Sequence, residues 1–405
     1  MAQNNYSGII HSGQLMPQEE MLEIQPVRKN LTIGIPKEIA FSENRIPLDP
    51  DAVSLQVQHG HQVVIEADAG KAAHFTDKEY SEMGAEISND TKKIFNADII
   101  LKIAPPTVGE IEMMGTRQTL ISSIHHSAID DEYFRKLLLK RTTAIAFEYM
   151  QDKAGTFPVI RAMSEIAGNT SMLIAAEYLS SPVYGCGKML GGISGITPTE
   201  VVILGAGTVG EYAARAALGM GALIKIFDNS VYKLRRLQNN LNTRFYTSIL
   251  HPRVLLSALR SADIVIGAVH SAYSHTPVII TDDMVQQMKQ GSVLIDVSID
   301  QGGCFETSHV TDHSNPVFKK YGVTHYCVPN IASKVPRTAS YALSNFLSPI
   351  MLRIGDEGGV EKVLHSDFGV RQGVYLYNGI STNNFLSESF HLPFQDINLL
   401  MAAFR

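Results

Sequence analysis

The chain has 405 residues, of which 45% are hydrophobic and 18% are charged, and its formal net charge is −6. This length predicts two or three domains, and the composition is that of a globular protein without the basic surplus typical of nucleic-acid binding. The longest apolar runs are of strand length, so the sequence predicts no membrane-spanning helix. The polar N-terminus lacks the pattern of a secretory signal. We therefore expect a cytoplasmic protein that binds neither nucleic acid nor membrane.

The placement of cysteine and histidine argues against a metal site. Cys186, Cys304 and Cys327 have no C-x-x-C spacing, which is against both a disulfide framework and a structural zinc site. His309 and His313 are four positions apart, but the segment HVTDH lacks a glutamate beside its first histidine and reads as a loop. We expect no bound metal.

Beyond a polar N-terminal arm at residues 1–30, short apolar runs alternate with longer amphipathic segments. This is the pattern of βα units around a parallel sheet. A long helix predicted over 158–181, with near-3.6 spacing of apolar positions, and a glycine-rich loop at 185–198 separate two such series. The predicted strands are 31–35, 62–67, 97–103, 118–124 and 143–147, then 200–204, 223–228, 262–269, 292–299 and 323–328. The fold class predicted is α/β, with two doubly wound Rossmann-like domains facing a central cleft.

An acidic residue stands at the end of one predicted strand. In VSIDQGGCFE (297–306), an apolar run carries Asp300, expected to point inward, and the glycines Gly302 and Gly303 follow. A carboxylate at the carboxyl end of a buried strand, beside glycines that permit close approach of a ligand, suggests a site. The alternative is a turn residue.

The segment VVILGAGTVG (201–210) has the pattern of a dinucleotide-binding turn. A lone G-x-G-x-x-G is a weak signal, but here a strand precedes it and a helix and a second strand follow. Gly205 permits the tight turn, Gly207 lets a pyrophosphate approach the backbone, and Gly210 lets helix and strand pack closely. Val209, within the motif, is counted among the cofactor-binding residues. The helix N-terminus would face the phosphates; the alternative is a glycine turn without a cofactor.

The next strand ends in Asp228, where a carboxylate would accept hydrogen bonds from the ribose hydroxyls of the adenosine. A 2′-phosphate would be repelled there, so the sequence favours NAD over NADP. Lys233 is predicted to lie near the adenosine, with a solvated helix lysine as the equal alternative.

Six motifs, in this order along the chain, resemble the alanine dehydrogenase family, which shares its fold with the NAD(H)-binding subunit of proton-translocating transhydrogenase and, more remotely, with saccharopine dehydrogenase. The motifs are GIPKEIAFSENRIPLDP (34–50), QHGHQVVIEADAG (58–70), AMSEIAGN (162–169), LGAGTVG (204–210), DVSIDQGGCFETS (296–308) and HYCVPNIASKVPRTASYALSN (325–345).

The resemblance implies a substrate-binding domain at residues 31–157, an NAD-binding domain at 158–329, and a return to the substrate-binding domain with a C-terminal tail at 330–405. It also implies a homohexamer that reversibly oxidises L-alanine with NAD to pyruvate and ammonium. These small molecules are the only other partners expected.

Five residues match functional positions of the family. Arg45 matches the arginine that binds the substrate carboxylate, which suits its planar fork. His125 matches the catalytic histidine, and its unperturbed pKa near neutrality suits proton transfer. Asp300 matches the aspartate that orients water and the amino group. Asn330 matches a residue that contacts substrate and cofactor, and Ser164 matches a cofactor contact across the cleft.

One departure puts catalysis in doubt. The family usually has K-x-K-E-P where this chain reads LKIAPPT, so Ala104 replaces a lysine that binds the substrate and aids proton transfer. Loss of that cation removes on the order of several kcal/mol of transition-state stabilisation, as removal of one oxyanion-hole donor does. Lys102, two residues earlier and on the same side of an extended strand, is predicted to bind substrate in its place, with Arg45 compensating.

Two alternatives follow from these departures. Residues 269–280 depart from the family's loop near the cofactor, so we expect a different NAD affinity or preferred form of the cofactor. The C-terminal 55 residues also depart from the family pattern, which makes another amino-acid or opine-forming dehydrogenase the alternative. Ala104 makes a non-catalytic NAD(H)-binding protein the alternative from a different functional class.

Overall fold

The computed structural model describes residues 28–40, 42–124, 129–270 and 276–403. Over these ranges the chain forms two sheets, one with eight strands and one with seven. Most strand pairs are parallel, as the alternating sequence pattern predicts. The predicted α/β fold with two Rossmann-like units is confirmed.

In chain order the strands are β1 (Thr32–Ile35), β2 (Gln62–Glu66), β3 (Glu86–Ser88), β4 (Ile99–Leu101), β5 (Thr119–Ser122), β6 (Thr143–Ala146), β7 (Glu200–Leu204), β8 (Leu223–Phe227), β9 (Tyr246–Ser248), β10 (Ile264–Gly267), β11 (Val293–Asp296), β12 (Val317–Lys320), β13 (Val323–Tyr326), β14 (Val374–Tyr377) and β15 (Ile380–Ser381).

The α-helices are α1 (Pro50–Gln58), α2 (Asp77–Glu82), α3 (Thr91–Ile94), α4 (Val108–Met113), α5 (Asp131–Leu139), α6 (Pro158–Ser180), α7 (Thr208–Gly219), α8 (Val231–Leu241), α9 (Pro252–Ser261), α10 (Asp282–Gln286), α11 (Pro336–Asp356), α12 (Val360–Ser366), α13 (Phe368–Gln372), α14 (Asn384–Ser389) and α15 (Ile397–Ala403). Short 3-10 helices span Lys71–Ala73, Phe147–Tyr149, Val297–Gln301 and Ile331–Lys334.

The strand order places a crevice at the carboxyl edge of each sheet. The first sheet runs β15-β14-β6-β5-β4-β1-β2-β3 and the second β12-β13-β11-β10-β7-β8-β9. In both sheets the order reverses at the first strand, between β1 and β4 and between β7 and β10. Ligands of doubly wound folds bind outside the carboxyl ends of the strands at such a reversal.

Both faces of each sheet are covered, which explains the near-continuous apolar runs of the parallel strands. In β4, for example, Ile99 and Leu101 belong to one buried cluster and Ile100 to another. In β7, Ile203 and Leu204 divide between two clusters in the same way. The alternation of side chains along a strand sends neighbouring residues to opposite faces.

The predicted long helix is confirmed as α6, which has 23 residues. It packs along α7 at a glycine: a Cβ added to Gly168 would lie 2.5 Å from the carbonyl oxygen of Val209. Only a glycine allows this approach, so the contact fixes α6 beside the glycine-rich turn of the second sheet.

After the second sheet the chain returns to the first through α11. Three serines of this helix, one turn apart, bond the segment that follows β1: Ser340 Oγ accepts from Ile46 N at 2.9 Å and Ser344 Oγ accepts from Asp49 N at 2.6 Å. Gln56 Nε2 donates to Ser348 Oγ at 2.9 Å. These bonds, with the pairing of β14 to β6, attach α11 and β14 to the first unit. The division of the chain at residues 157 and 329 stays a prediction.

Several expectations need correction. The strands β3, β9, β12, β14 and β15 were absent from the sequence prediction, and β12 and β14 pair antiparallel to their neighbours. The strand expected at 292–299 ends at Asp296, and a 3-10 helix carries Asp300, which is exposed. The inward placement of Asp300 was therefore wrong. Lys102 lies just beyond β4 rather than within it.

No helix of the described ranges is long and apolar enough to cross a membrane.

Candidate active site

The turn between β7 and α7 is shaped by its three glycines. Gly205 has φ of +104°, and an added Cβ would lie 2.3 Å from the carbonyl oxygen of Ala268 at the end of β10. A Cβ on Gly210 would lie 2.0 Å from the carbonyl oxygen of Gly205. At Gly207, by contrast, an added Cβ meets no described atom within 4 Å. Gly205 and Gly210 thus close the turn, while Gly207 borders open space at the N-terminus of α7.

Asp228, directly after β8, is hydrogen-bonded to this turn. Its Oδ2 accepts from the N–H of Ala206 at 2.8 Å and its Oδ1 accepts from the N–H of Ser230 at 2.7 Å. The backbone N–H of Lys233 donates to Ser230 Oγ at 3.3 Å, and the side chain of Lys233 is exposed. The structure therefore brings Asp228 to the glycine turn and leaves Lys233 at the rim.

These residues fit a dinucleotide. The space beside Gly207 admits a pyrophosphate against the backbone, where the helix N-terminus supplies unpaired N–H groups. A carboxylate oxygen has two lone pairs, so each oxygen of Asp228 can accept one ribose hydroxyl in addition to its backbone donor. The Gly207 turn and Asp228 would hold the pyrophosphate and the adenosine ribose respectively.

Across the cleft, Arg45 is buried in a two-point pair with Glu43. Arg45 Nε donates to Glu43 Oε1 at 2.7 Å and Nη2 donates to Oε2 at 2.6 Å. Nη1 donates to the Sδ of Met163 in α6 at 3.2 Å. Although burial disfavours its charge, Glu43, Glu38 and Asp300 raise the pKa of Arg45. The guanidinium is a fixed cation at the cleft.

Asn330 joins the two sides of the cleft. Its Nδ2 donates to Glu43 Oε2 at 2.7 Å, and its backbone N–H donates to Asp300 Oδ1 at 2.8 Å. Asn330 adopts a left-handed conformation with φ of +54°, which asparagine tolerates better than most residues. Arg45, Glu43, Asn330 and Asp300 thus form one continuous series of hydrogen bonds from the first unit to the second.

Asp296, rather than Asp300, is the buried carboxylate at the end of β11. Its Oδ2 accepts from Ser308 Oγ at 2.7 Å and from the N–H of Cys304 at 3.2 Å. Burial raises the pKa of Asp296 to about 6, against these donors. Asp296 holds the loop after the Asp300 helix, and its hydrogen bonds to described residues go to Ser298, Cys304 and Ser308 of the second unit.

Lys102 is enclosed by two carboxylates. Its Nζ lies 2.8 Å from Glu110 Oε1 and 3.2 Å from Glu38 Oε2, and its side chain is 1% exposed. Burial disfavours its charge, but the two glutamates raise its pKa. Ala104 is also buried. Lys102 therefore lies in an ion-pair cluster at the carboxyl end of β4, and its role as a substrate ligand stays a prediction.

Two further carboxylates end strands of the first sheet, and the sequence reasoning missed both. Glu38 follows β1 and its Oε1 accepts from the N–H of Ile103 at 2.6 Å; Glu148 follows β6 and its Oε1 accepts from the N–H of Ile124 at 2.6 Å. Glu148 Oε2 is buried without a hydrogen-bond partner among the described residues. Burial raises the pKa of both Glu38 and Glu148 to about 7. The reasoning that singled out Asp300, a carboxylate after an apolar strand, applies equally to them.

Ser164 and His125 are the two remaining residues that the sequence predicts at the site. Ser164 is half-buried on α6, next to the Met163 that contacts Arg45. His125 lies outside the described residues, directly after the Ile124 that bonds Glu148. The roles of both stay predictions.

Comparison with known proteins decides the family. Models of the alanine dehydrogenase/PNT N-terminal and C-terminal domains match residues 34–167 and 171–384. The chain belongs to the alanine dehydrogenase/PNT family. The alanine dehydrogenase resemblance seen in the sequence motifs is confirmed.

The family relatives match over nearly their whole length. Alanine dehydrogenase of Mycolicibacterium smegmatis is 36% identical over 92% of this chain and 100% of the relative. Alanine dehydrogenase of Methanococcus maripaludis is 37% identical over 90% of this chain and 98% of the relative. A solved L-alanine dehydrogenase superposes with a TM-score of 0.83 at 35% identity, covering 89% of this chain and 99% of that structure. The transhydrogenase of Sinorhizobium meliloti, with a TM-score of 0.75 at 21% identity over 87% of this chain and 99% of its own, shares the fold.

Proposed function

We propose that this protein is an NAD-dependent alanine dehydrogenase. It converts L-alanine, NAD⁺ and water to pyruvate, ammonium, NADH and a proton, and it catalyses the reverse reaction. The observation that carries the proposal is the hydrogen-bonded series from Arg45 through Glu43 and Asn330 to Asp300, in a chain that also has the Gly207 turn. A cation, an amide and a carboxylate are thereby held together at one cleft.

Each of these residues has a role that its contacts allow. Arg45 binds the substrate carboxylate with the edge of its guanidinium that Glu43 leaves open, formed by Nη1 and the second hydrogen of Nη2. Asp300, held by the Asn330 backbone, orients the attacking water in the oxidative direction and ammonia in the reverse direction. His125 transfers the proton. NAD, which the Gly207 turn and Asp228 would hold, would supply the hydride acceptor for the substrate α-carbon.

Such a site works mainly by orientation. Holding the reacting groups at a fixed geometry removes roughly 7–11 kcal/mol from the barrier in favourable intramolecular cases. Because Arg45 and Asn330 are each anchored at a buried carboxylate, little reorganisation is needed when substrate binds. The expected assembly is a cytoplasmic homohexamer, which size-exclusion chromatography with light scattering tests.

The test is NADH oxidation by the purified protein with a panel of keto acids, each with ammonium, with an amino acid in its place, and with neither. Turnover with pyruvate and ammonium supports alanine dehydrogenase. Turnover with another keto acid, or only with an amino acid as the amine, identifies a different amino-acid or opine-forming dehydrogenase. NADH binding without turnover on any pair identifies a non-catalytic binder and overturns the proposal.

A further inference from the structure

Glu43 accepts five hydrogen bonds at the cleft, and its side chain is only 2% exposed. Its Oε1 accepts from the N–H of Arg45 at 2.9 Å, from Arg45 Nε at 2.7 Å and from Ser333 Oγ at 3.2 Å. Its Oε2 accepts from Arg45 Nη2 at 2.6 Å and from Asn330 Nδ2 at 2.7 Å. Two of the three side chains it binds come from the part of the chain after residue 329.

We propose that Glu43 is a positioning residue: it fixes which edge of the Arg45 guanidinium faces the substrate and holds Asn330 in register with that edge. The proposal rests on the proposed function and deepens it. Glu43 itself does not touch the substrate, because its two oxygens are already occupied by donors from the protein.

The geometry of the guanidinium gives the physical reason. Arginine presents its N–H groups as a rigid planar fork, and each edge can bind one carboxylate at two points. Glu43 takes the edge formed by Nε and Nη2. The edge formed by Nη1 and the second hydrogen of Nη2 remains for a substrate carboxylate, which Arg45 would therefore bind end-on.

The charges point to orientation rather than to attraction. An arginine paired with a buried glutamate forms a neutral unit, which attracts an anion less strongly than a lone arginine does. Burial alone would raise the pKa of Glu43, but Arg45 and the Asn330 amide hold it below its ordinary value, so Glu43 remains ionised. Attraction of an anion needs only the arginine, whereas a fixed binding angle needs the carboxylate that holds the guanidinium in place.

Glu43→Gln tests the proposal because the two side chains have nearly the same shape. The amide nitrogen of glutamine can accept no hydrogen bond, so it would face a donor, from Asn330 or from Arg45, that needs an acceptor. We expect the KM for pyruvate to rise roughly tenfold or more, since a hydrogen bond to a charged group is lost. The kcat should also fall, because a carboxylate bound at the wrong angle displaces the substrate α-carbon, and the Kd for NADH should stay at the wild-type value.

Two further variants distinguish positioning from general destabilisation. Glu43→Asp keeps the charge and should recover part of the pyruvate affinity lost in Glu43→Gln. Glu86→Gln removes a glutamate from an exposed ion pair with Lys93 and should leave both constants unchanged. A Glu43→Gln protein with wild-type KM for pyruvate would overturn the proposal, as would an equal loss in Glu43→Asp and Glu43→Gln.

Crystal structures of wild type and Glu43→Gln separate this proposal from the proposed function. The guanidinium of Arg45 should leave its wild-type plane in the variant, and an unchanged Arg45 contradicts the positioning role. A wild-type protein without turnover contradicts the proposed function instead, and the orientation of Arg45 in the two structures then decides the role of Glu43.

Discussion

The backbone N–H of Asn330 donates a hydrogen bond of 2.8 Å to Oδ1 of Asp300. The sequence places these residues in different motifs, one after β11 and the other after β13, and the adjacency of those two strands brings them together. The family resemblance gives Asp300 the role of orienting the water and the amine. The backbone of Asn330 holds this carboxylate, and the side chain of Asn330 donates to Glu43, the partner of Arg45.

Asp300→Asn should lower kcat by roughly 10²- to 10⁴-fold, the usual contribution of a group that orients or moves protons. Asparagine keeps an oxygen for the Asn330 N–H but loses the negative charge. The affinity for NADH should not change. Asp283→Asn, an exposed substitution in α10, is the matched control. Turnover of the Asp300 variant at the control rate would remove Asp300 from the reaction.

Substitutions at two glycines of the turn should affect different properties: the affinity for NADH at Gly207 and the stability of the fold at Gly210. Gly207→Val adds a side chain into open space at a φ of −80°, so the thermal midpoint should stay within about 2 °C while the Kd for NADH rises at least roughly tenfold. Gly210→Ala forces a Cβ against the Gly205 carbonyl and should lose roughly 1–3 kcal/mol of stability. For both variants, calorimetry measures the stability and fluorescence titration measures the Kd for NADH. Unchanged NADH affinity in Gly207→Val would mean that the dinucleotide lies elsewhere.

Lys102→Met should destabilise the fold by roughly 3–5 kcal/mol, because it leaves Glu38 and Glu110 as uncompensated buried carboxylates. Adding Glu38→Gln and Glu110→Gln removes those charges and should restore much of the unfolding free energy. The triple variant also tests substrate binding. Loss of turnover in the triple variant, once its stability is restored, supports Lys102 as the substitute for the family lysine. Full turnover in this variant shows that the role of Lys102 is structural.

Glu148 should make stability depend on pH. Burial raises the pKa of Glu148 from 4.5 to about 7, so the native state binds more protons than the unfolded state between these values. Its contribution to stability is therefore complete below pH 4.5 and is lost as the pH rises through 7. Glu148→Gln removes this loss, so its unfolding free energy relative to wild type should be greater at pH 8 than at pH 5 by roughly 2–3 kcal/mol.

Urea denaturation of both proteins at the two pH values measures this difference, with the exposed Glu132→Gln as the control. An equal difference between Glu148→Gln and wild type at both pH values would contradict a raised pKa for Glu148.

The sequence predicted the central parallel strands because their apolar runs are buried on both faces. The strands β3, β9 and β12 escaped prediction since they are only three or four residues long and largely half-exposed, so they carry neither a continuous apolar run nor a clear alternation. The predicted inward direction of the Asp300 side chain was wrong because the apolar run continues beyond the strand into a 3-10 helix. In so short a run, the spacing of apolar residues does not distinguish a strand from a 3-10 helix.

The site residues were predictable where a residue of suitable chemistry stands within a recognisable sequence motif, as at Arg45 and the Gly207 turn. Glu43 was not recognised although it stands two positions from Arg45, because its importance comes from Asn330 and Ser333, nearly 290 positions away. Such a contact is created by the return of the chain through α11 and has no local signal. Glu148, by contrast, follows the apolar strand β6 and has the same local signal as Asp300, so the sequence alone could have identified it.

The most direct test of alanine dehydrogenase activity is the identity of the product. Wild-type protein should be incubated with pyruvate, isotopically labelled ammonium and NADH, and the products examined by mass spectrometry against the NADH consumed. The expected result is one labelled L-alanine for each NADH oxidised. NADH consumption that yields lactate or a secondary amine, or the absence of any labelled alanine despite bound NADH, would contradict it.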